Sequence, residues 1–129
     1  MNAVVTGATG FLGRRLVRLF REDGRRVTCL VRPSSDIHAL RESVGTALWS
    51  GVDIQQIDLM DADRCRDVLT EESVVYHLAA GLSGSPSTLF LNTVIPTRRL
   101  MAAALTARVR RFVLVSSLGV YGTQNLKRG

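Results

Sequence analysis

Three glycines, Gly7, Gly10 and Gly13, lie in the run Val5-Thr6-Gly7-Ala8-Thr9-Gly10-Phe11-Leu12-Gly13, between the apolar segment Ala3-Val4-Val5 and a helical periodicity that starts at Phe11. No other feature limits the fold of this chain so tightly. An apolar strand must stop, the backbone must turn within a few residues, and a helix must start against the strand it has just left. Glycines at three-residue spacing permit the turn and a close packing of helix on sheet. They also leave backbone amides bare at the positive end of the new helix, where a pyrophosphate can be held. The strand-turn-helix context separates this pattern from a chance glycine cluster. A tight turn with no ligand is the alternative reading of the same residues.

The rest of the chain repeats that alternation. Phe11, Leu12, Leu16, Val17, Leu19 and Phe20 recur at helical spacing with arginines between them, and the helix closes near Gly24. Val27 to Val31 reads as a second buried strand, stopped by Arg32-Pro33. Ser34-Ser35-Asp36 can cap a helix that runs to about Ser43. Val52 to Ile57 is a third strand, Asp61 to Leu69 a short helix, and Ser73 to Leu78 a fourth strand. A loop over Gly81 to Ser87 leads into a long helix from about Thr88 to Ala107, interrupted by Pro96. Phe112 to Ser116 is a fifth strand, and Leu118 to Gly129 is irregular. Strands apolar enough to be buried on both faces, joined by right-handed helical crossovers, make an α/β, doubly wound parallel sheet (a Rossmann fold). The expected strand order is 3-2-1-4-5. The ligand crevice then lies beyond the carboxyl ends of strands one and four, where the winding reverses.

Each strand end in this topology offers candidate groups. Strand two ends at Val31-Arg32 without the carboxylate that would hold the ribose hydroxyls and repel a 2′-phosphate. Arg32 instead offers planar donors suited to a phosphate, with Arg14 as a second base, so NADP is expected in preference to NAD. Both arginines can also be read as ordinary surface residues. Asp58-Leu59 after strand three can hydrogen-bond an adenine through carboxylate and amide, or Asp58 can simply cap a turn. His77-Leu78-Ala79-Ala80-Gly81 closes strand four with small residues against which a cofactor can lie. No acid partner singles out His77 as a general base, so it is read as non-catalytic. Ser116-Ser117 ends strand five, where a serine can bond a substrate oxygen or merely satisfy backbone groups. Without a histidine-acid pattern a hydrolytic nucleophile is not expected there.

Composition excludes several other classes. The 129 residues are 46% hydrophobic and 22% charged, ordinary for one globular domain. No stretch approaches the ~18 apolar residues of a membrane span. The chain passes from Met1 straight into a strand with no leader pattern, which suggests the cytoplasm. Cys29 and Cys65 have no metal or redox spacing and read as reduced packing residues; no metal is expected. The net charge is +6, carried almost wholly by scattered arginines, with Lys127 the single lysine. Aromatics make up only 5% and do not interleave with those arginines, so nucleic-acid binding is not expected. An open sheet edge leaves self-association as a homodimer open.

Taken together, these pieces resemble the extended short-chain dehydrogenase/reductase family, the NAD(P)-dependent epimerase/dehydratase group. The resemblance is carried by Thr6-Gly7-Ala8-Thr9-Gly10-Phe11-Leu12-Gly13, by Asp58-Leu59, by His77-Leu78-Ala79-Ala80, by Asn92 with Thr97, and by Val115-Ser116-Ser117-Leu118-Gly119-Val120-Tyr121-Gly122. It runs from residue 1 to about 122. It implies cofactor contacts from Thr6, Gly7, Thr9, Gly10, Phe11, Leu12, Gly13, Asp58, Leu59, Leu78, Ala79, Ala80 and Ser116. By position, Ser117 matches the family's catalytic serine or threonine, which polarises a substrate oxygen while hydride passes between substrate and nicotinamide. The family's Tyr-x-x-x-Lys motif is absent: Asn125 stands four residues after Tyr121, Ala80 four after Tyr76, and Thr123 four before Lys127. Pro96 replaces a usual glycine, and the segment from Ala80 to Asn92 is shorter than in many sugar-nucleotide enzymes. The expectation is therefore a dinucleotide-binding domain over residues 1–129 of a larger oxidoreductase, epimerase or dehydratase, truncated after strand five. The catalytic helix and substrate lobe would be absent, and the chain alone inactive. Its substrate would carry a hydroxyl or carbonyl, with a nucleotide sugar as one class. The competing expectation is a non-catalytic NADP(H) sensor.

Overall fold

The computed structural model describes residues 2–81 and 83–117. Strands β1 (Asn2–Thr6), β2 (Val27–Val31), β3 (Val52–Gln56), β4 (Ser73–His77) and β5 (Arg111–Leu114) form one parallel sheet in the order β3-β2-β1-β4-β5. The helices are α1 (Phe11–Glu22), α2 (His38–Val44), α3 (Thr46–Trp49), α4 (Ala62–Asp67), α5 (Pro86–Leu89) and α6 (Ile95–Thr106), with a π-helical turn at Phe90–Val94 between the last two. This is the α/β doubly wound sheet, in the strand order, that the alternation implies.

Two apolar layers follow from the period of two along each strand. Ala3, Val5, Val27, Cys29 and Val31 join Val17 and Phe20 of α1 and Leu40 of α2 on one face. Val4, Leu30 and Val75 point the other way and join Cys65, Leu100, Ala103 and Ala104 of α4 and α6. Both cysteines are buried and unpaired by disulfide, and burial pushes the thiols up to about 12 for Cys29 and about 11 for Cys65. Neither is a reactive thiolate near neutral pH.

The boundaries depart from expectation in ways that have physical causes. The apolar stripe of α1 is narrower than its composition suggests. Gly13, Val17 and Phe20 are buried, whereas Phe11, Leu12 and Leu19 are 70%, 50% and 57% exposed. Spacing alone ranks all apolar residues equally; packing takes only those within one arc of the helix. The expected Ser34-Ser35-Asp36 cap is partly realised: the Asp36 carboxylate accepts from the amide of His38, although α2 has no side-chain bond at its N-cap, Ile37. The single-turn helix α3 is too short to leave a periodic signal. Arg21 holds it from α1, donating to the Leu48 carbonyl at 2.9 Å and also to the Arg25 carbonyl. The expected interruption at Pro96 does not occur. Helical backbone runs without a break from Pro86 to Thr106, because Pro96 sits in the first turn of α6 behind the π-helical turn. That turn absorbs the missing proline N–H, which would otherwise serve the Asn92 carbonyl. Strand β5 ends at Leu114, so Val115, Ser116 and Ser117 lie beyond it.

The contact that seats α1 is made by backbone. A Cβ on Gly13 would lie 2.1 Å from the Gly7 carbonyl oxygen and 2.7 Å from the Ala8 Cα. Substituting Gly13→Ala should therefore destabilise the protein by about 1–3 kcal/mol, the usual cost of overpacking. Urea unfolding measures this, and an unchanged midpoint would contradict the contact.

Candidate functional site

The segments that follow β1, β2, β3, β4 and β5 all emerge on the carboxyl edge of the sheet, because every strand is parallel. At its centre β1 ends in Thr6, and the chain turns through Gly7 with φ +67°. A Cβ on Gly7 would meet the Ala79 nitrogen and the Leu78 carbonyl carbon at 2.8 Å. The turn is thus pressed against the residues that follow β4, where the Leu78 amide donates to the Thr6 carbonyl at 3.3 Å. Gly10 donates its amide to the Gly7 carbonyl and accepts from the Arg14 amide, each at 3.0 Å. It is the N-cap of α1, with φ −76° and no side-chain cap.

These glycines serve different needs. Gly7 and Gly13 are required by the chain's own backbone. Gly10 is exposed, has ordinary φ, and a Cβ there would meet only the Gly7 oxygen, at 3.3 Å. The first amides of α1 have no intrahelical acceptor. The first turn carries no acidic residue and is followed by Arg14 and Arg15. The helix therefore presents an uncapped positive end, with bare backbone at Gly10, at the central switch point of the sheet.

The flanking residues are arranged around this turn. Thr9 is half-buried, and Phe11 and Leu12 project outward from the start of α1. The Arg15 guanidinium lies 3.8 Å from the Phe11 ring centroid and covers it. Arg32 is exposed just past β2, on the same edge. Asp58 follows β3, and its carboxylate accepts from the Met60 amide at 2.9 Å, so the turn-capping reading of this residue is realised. Leu59 is buried in the second apolar layer. Ala79 is half-buried and Ala80 exposed beyond β4. Ser116 and Ser117 are exposed beyond β5. Tyr121 and the rest of the Val-Tyr-Gly segment lie outside the described residues, as does Lys127.

His77 occupies a position that sequence reasoning did not resolve. It is 1% exposed, and its ring is flanked by two hydroxyls: Thr6 Oγ1 is 2.6 Å from Nδ1, and Thr97 Oγ1 is 2.8 Å from Nε2. Thr93 adds a further link, accepting the Gly81 amide on its hydroxyl at 2.9 Å. The available signal was the pair Thr93 and Thr97, one helical turn apart and downstream of a loop of small residues. Burial holds the His77 pKa below the ordinary 6.5. Among the described residues no group of three or more His, Cys, Asp or Glu could hold a metal ion. Among those residues, too, no helix is long and apolar enough to cross a membrane.

Comparison with known proteins agrees with this geometry. A model of the NAD dependent epimerase/dehydratase family matches residues 3–128. The chain is 39% identical over 127 residues to sterol demethylase protein B of Methylococcus capsulatus, covering 95% of this chain and 36% of that protein. It is 36% identical, over 136 aligned positions, to the UDP-glucose 4-epimerase of Mycolicibacterium smegmatis, covering 95% and 41%. Among solved structures, a short-chain dehydrogenase/reductase superfamily protein from Agrobacterium tumefaciens with bound NAD superposes with a TM-score of 0.72 at 34% identity, over 95% of this chain and 34% of that one. The chain thus spans between about a third and two fifths of the length of these relatives.

The environment of His77 sets a pH dependence. The folded state disfavours the protonated ring, so below about pH 6.5 the unfolded chain binds more protons and stability is lost as the pH falls. Acidification from about pH 7.5 to about 5.5 should lower the melting temperature of the wild type more than that of His77→Phe, which has no titrating ring. Parallel melting curves across that range would refute the assignment.

Proposed function

From membership of the NAD dependent epimerase/dehydratase family, to which this chain belongs, we propose that residues 1–129 form the dinucleotide-binding part of an NAD(P)-dependent oxidoreductase or epimerase. One observation carries the reading. Gly10 lies bare at the uncapped positive end of α1, at the sheet's switch point, with ordinary φ and a single close neighbour for a Cβ, the Gly7 oxygen at 3.3 Å. A pyrophosphate fits that cradle. Bare Gly10 with the neighbouring amides of Phe11 and Leu12 would hold it and Thr9 would border it, while Gly7 and Gly13 shape the turn and buried Thr6 supports it from beneath. Asp58 and the backbone amide of Leu59, whose side chain is buried, would face the adenine, and Leu78, Ala79, Ala80 and Ser116 would line the path toward the nicotinamide. The bound nicotinamide supplies a hydride acceptor or donor.

The remaining roles follow from position and charge. Ser117 would hydrogen-bond the oxygen of a substrate hydroxyl or carbonyl. The epimerase relative brings a nucleotide sugar as substrate class. Arg32 gives the site a guanidinium where a carboxylate would reject a 2′-phosphate, which favours NADP over NAD. The sequence lacks a Tyr-x-x-x-Lys pair, and the chain spans only part of its relatives. The acid/base pair and substrate-binding part are thus assigned to residues outside this chain, which alone would bind cofactor without turnover. The same missing pair supports a second reading, a non-catalytic NADP(H) sensor. A Tyr-x-x-x-Lys pair encoded beyond residue 129 would decide for the enzyme.

Calorimetry tests the site directly. Gly10→Val should remain folded and lose affinity for both dinucleotides, because its side chain would stand where the pyrophosphate must approach. Unaltered binding by the folded variant would remove the turn from the site. Arg32→Ala should reduce the preference for NADP by about tenfold, the worth of one charge-assisted hydrogen bond. A constant NADP-to-NAD affinity ratio would exclude Arg32 from phosphate recognition.

A further inference from the structure

The hydrogen bonds around His77 have one consistent direction. Thr97 Oγ1 donates to the Thr93 carbonyl at 2.6 Å, so its single hydrogen is committed. Toward His77 it can only accept, which places the ring proton on Nε2. In the neutral ring Nδ1 is then an acceptor, and Thr6 Oγ1 donates to it at 2.6 Å. With its hydrogen committed, Thr6 Oγ1 accepts from the Ala79 amide at 3.2 Å. The chain therefore reads Ala79 N–H to Thr6 Oγ1–H to His77 Nδ1, and His77 Nε2–H to Thr97 Oγ1–H to the Thr93 carbonyl. Each hydroxyl hydrogen and both ring nitrogens have a partner.

The two ends of this chain are functionally unlike. One end lies at the π-helical turn and the first turn of α6, through Thr93 and Thr97. The other is Thr6 and the Ala79 amide, and the Ala79 nitrogen is, with the Leu78 carbonyl, among the atoms against which Gly7 packs. We propose that His77 is a positioning residue: a neutral Nε2–H imidazole that couples the seating of α6 to the wall of the glycine turn. This rests on the dinucleotide reading in that the turn it positions is that site. The opposite tautomer would place a proton on Nδ1, displace the Thr6 hydroxyl hydrogen from its acceptor, and leave Nε2 and Thr97 without a proton between them. Losing the acceptor at Thr97 favours that state, because a buried N–H without a partner is costly. Phe112 packs beside the ring, 5.9 Å between centroids, and keeps that side apolar.

Nitrogen-15 NMR of the His77 ring, hydrogen exchange at the Ala79 amide and calorimetry with NAD test the proposal together. The wild type should show the Nε2–H tautomer at neutral pH. Thr97→Val removes the hydroxyl at nearly constant volume, on α6 and on the opposite side of the His77 ring from Thr6. It should shift the ring toward Nδ1–H, speed exchange at Ala79, move the amide resonances of residues 6–13, and weaken NAD binding about tenfold. Thr97→Ser, which keeps the hydroxyl, should restore all four. A melting temperature lowered by Thr97→Val, with Ala79 exchange and the turn resonances unchanged, would reduce His77 to a structural role and overturn the proposal. A wild-type ring protonated on Nδ1 would overturn it without any variant. If the wild type does not bind NAD, the dinucleotide reading fails, while the tautomer, exchange and resonance measurements still decide whether His77 couples α6 to the turn.

Discussion

The backbone of α1 touches the backbone of the turn that precedes it, and the rest of the site depends on that contact. Without a side chain at Gly13, the helix can lie against Gly7 and Ala8. Without one at Gly7, the turn can lie against Leu78 and Ala79. Three segments, the end of β1, the start of α1 and the end of β4, are thereby stacked backbone to backbone at Gly7 and Gly13. Such a stack has little freedom to move, since interiors of this density transmit displacement and do not absorb it. It aims the first amides of α1 at the space above the sheet and fixes the distance between those amides and the β4 edge.

Electrostatics and packing then divide the labour around the stack. The sheet is apolar on both faces at its centre, which excludes water from below the turn. Above it, the polar groups near the strand ends are few and each has a defined place. The Asp58 carboxylate holds a turn, the Thr6 hydroxyl bridges two strands, and the His77 ring is kept neutral by burial. Among the site candidates, Arg32 and Asp58 are the full charges exposed to solvent on that edge. A neutral floor with the uncapped end of α1 at its centre and the Arg32 guanidinium at its margin suits an anionic ligand.

How much of this could be read in advance depends on whether a feature is periodic. β1, β2 and β4 are buried on both faces and read as mainly apolar segments, so their order and the switch point followed from alternation with helices. The glycine turn was legible because three glycines in a strand-to-helix junction have few other uses. What escaped was decided by packing and backbone geometry that residue spacing does not encode. Leu19 has the right spacing for the core of α1 and yet faces solvent. Pro96 looked like a break, and a π-helical turn removed the conflict. α3 consists of four residues held by Arg21, 27 positions away from Leu48. His77 carries no motif that announces Thr6 and Thr97 as its partners, because those contacts exist only once β1, β4 and α6 have met.

The centre of the sheet also dictates when the protein can become complete. β1 is flanked by β2 and β4, and its last residue, Thr6, is separated from its partner His77 by 71 positions. On the ribosome, at roughly 5–20 residues per second, the first strand emerges about 4–14 s before the histidine that will sit beside it. Until then only the β2 side of β1 can be satisfied. A nascent chain of this design carries one edge of β1, with its unpaired N–H and C=O groups, through that interval, and synonymous changes in codon speed between β2 and β4 would lengthen or shorten the exposure.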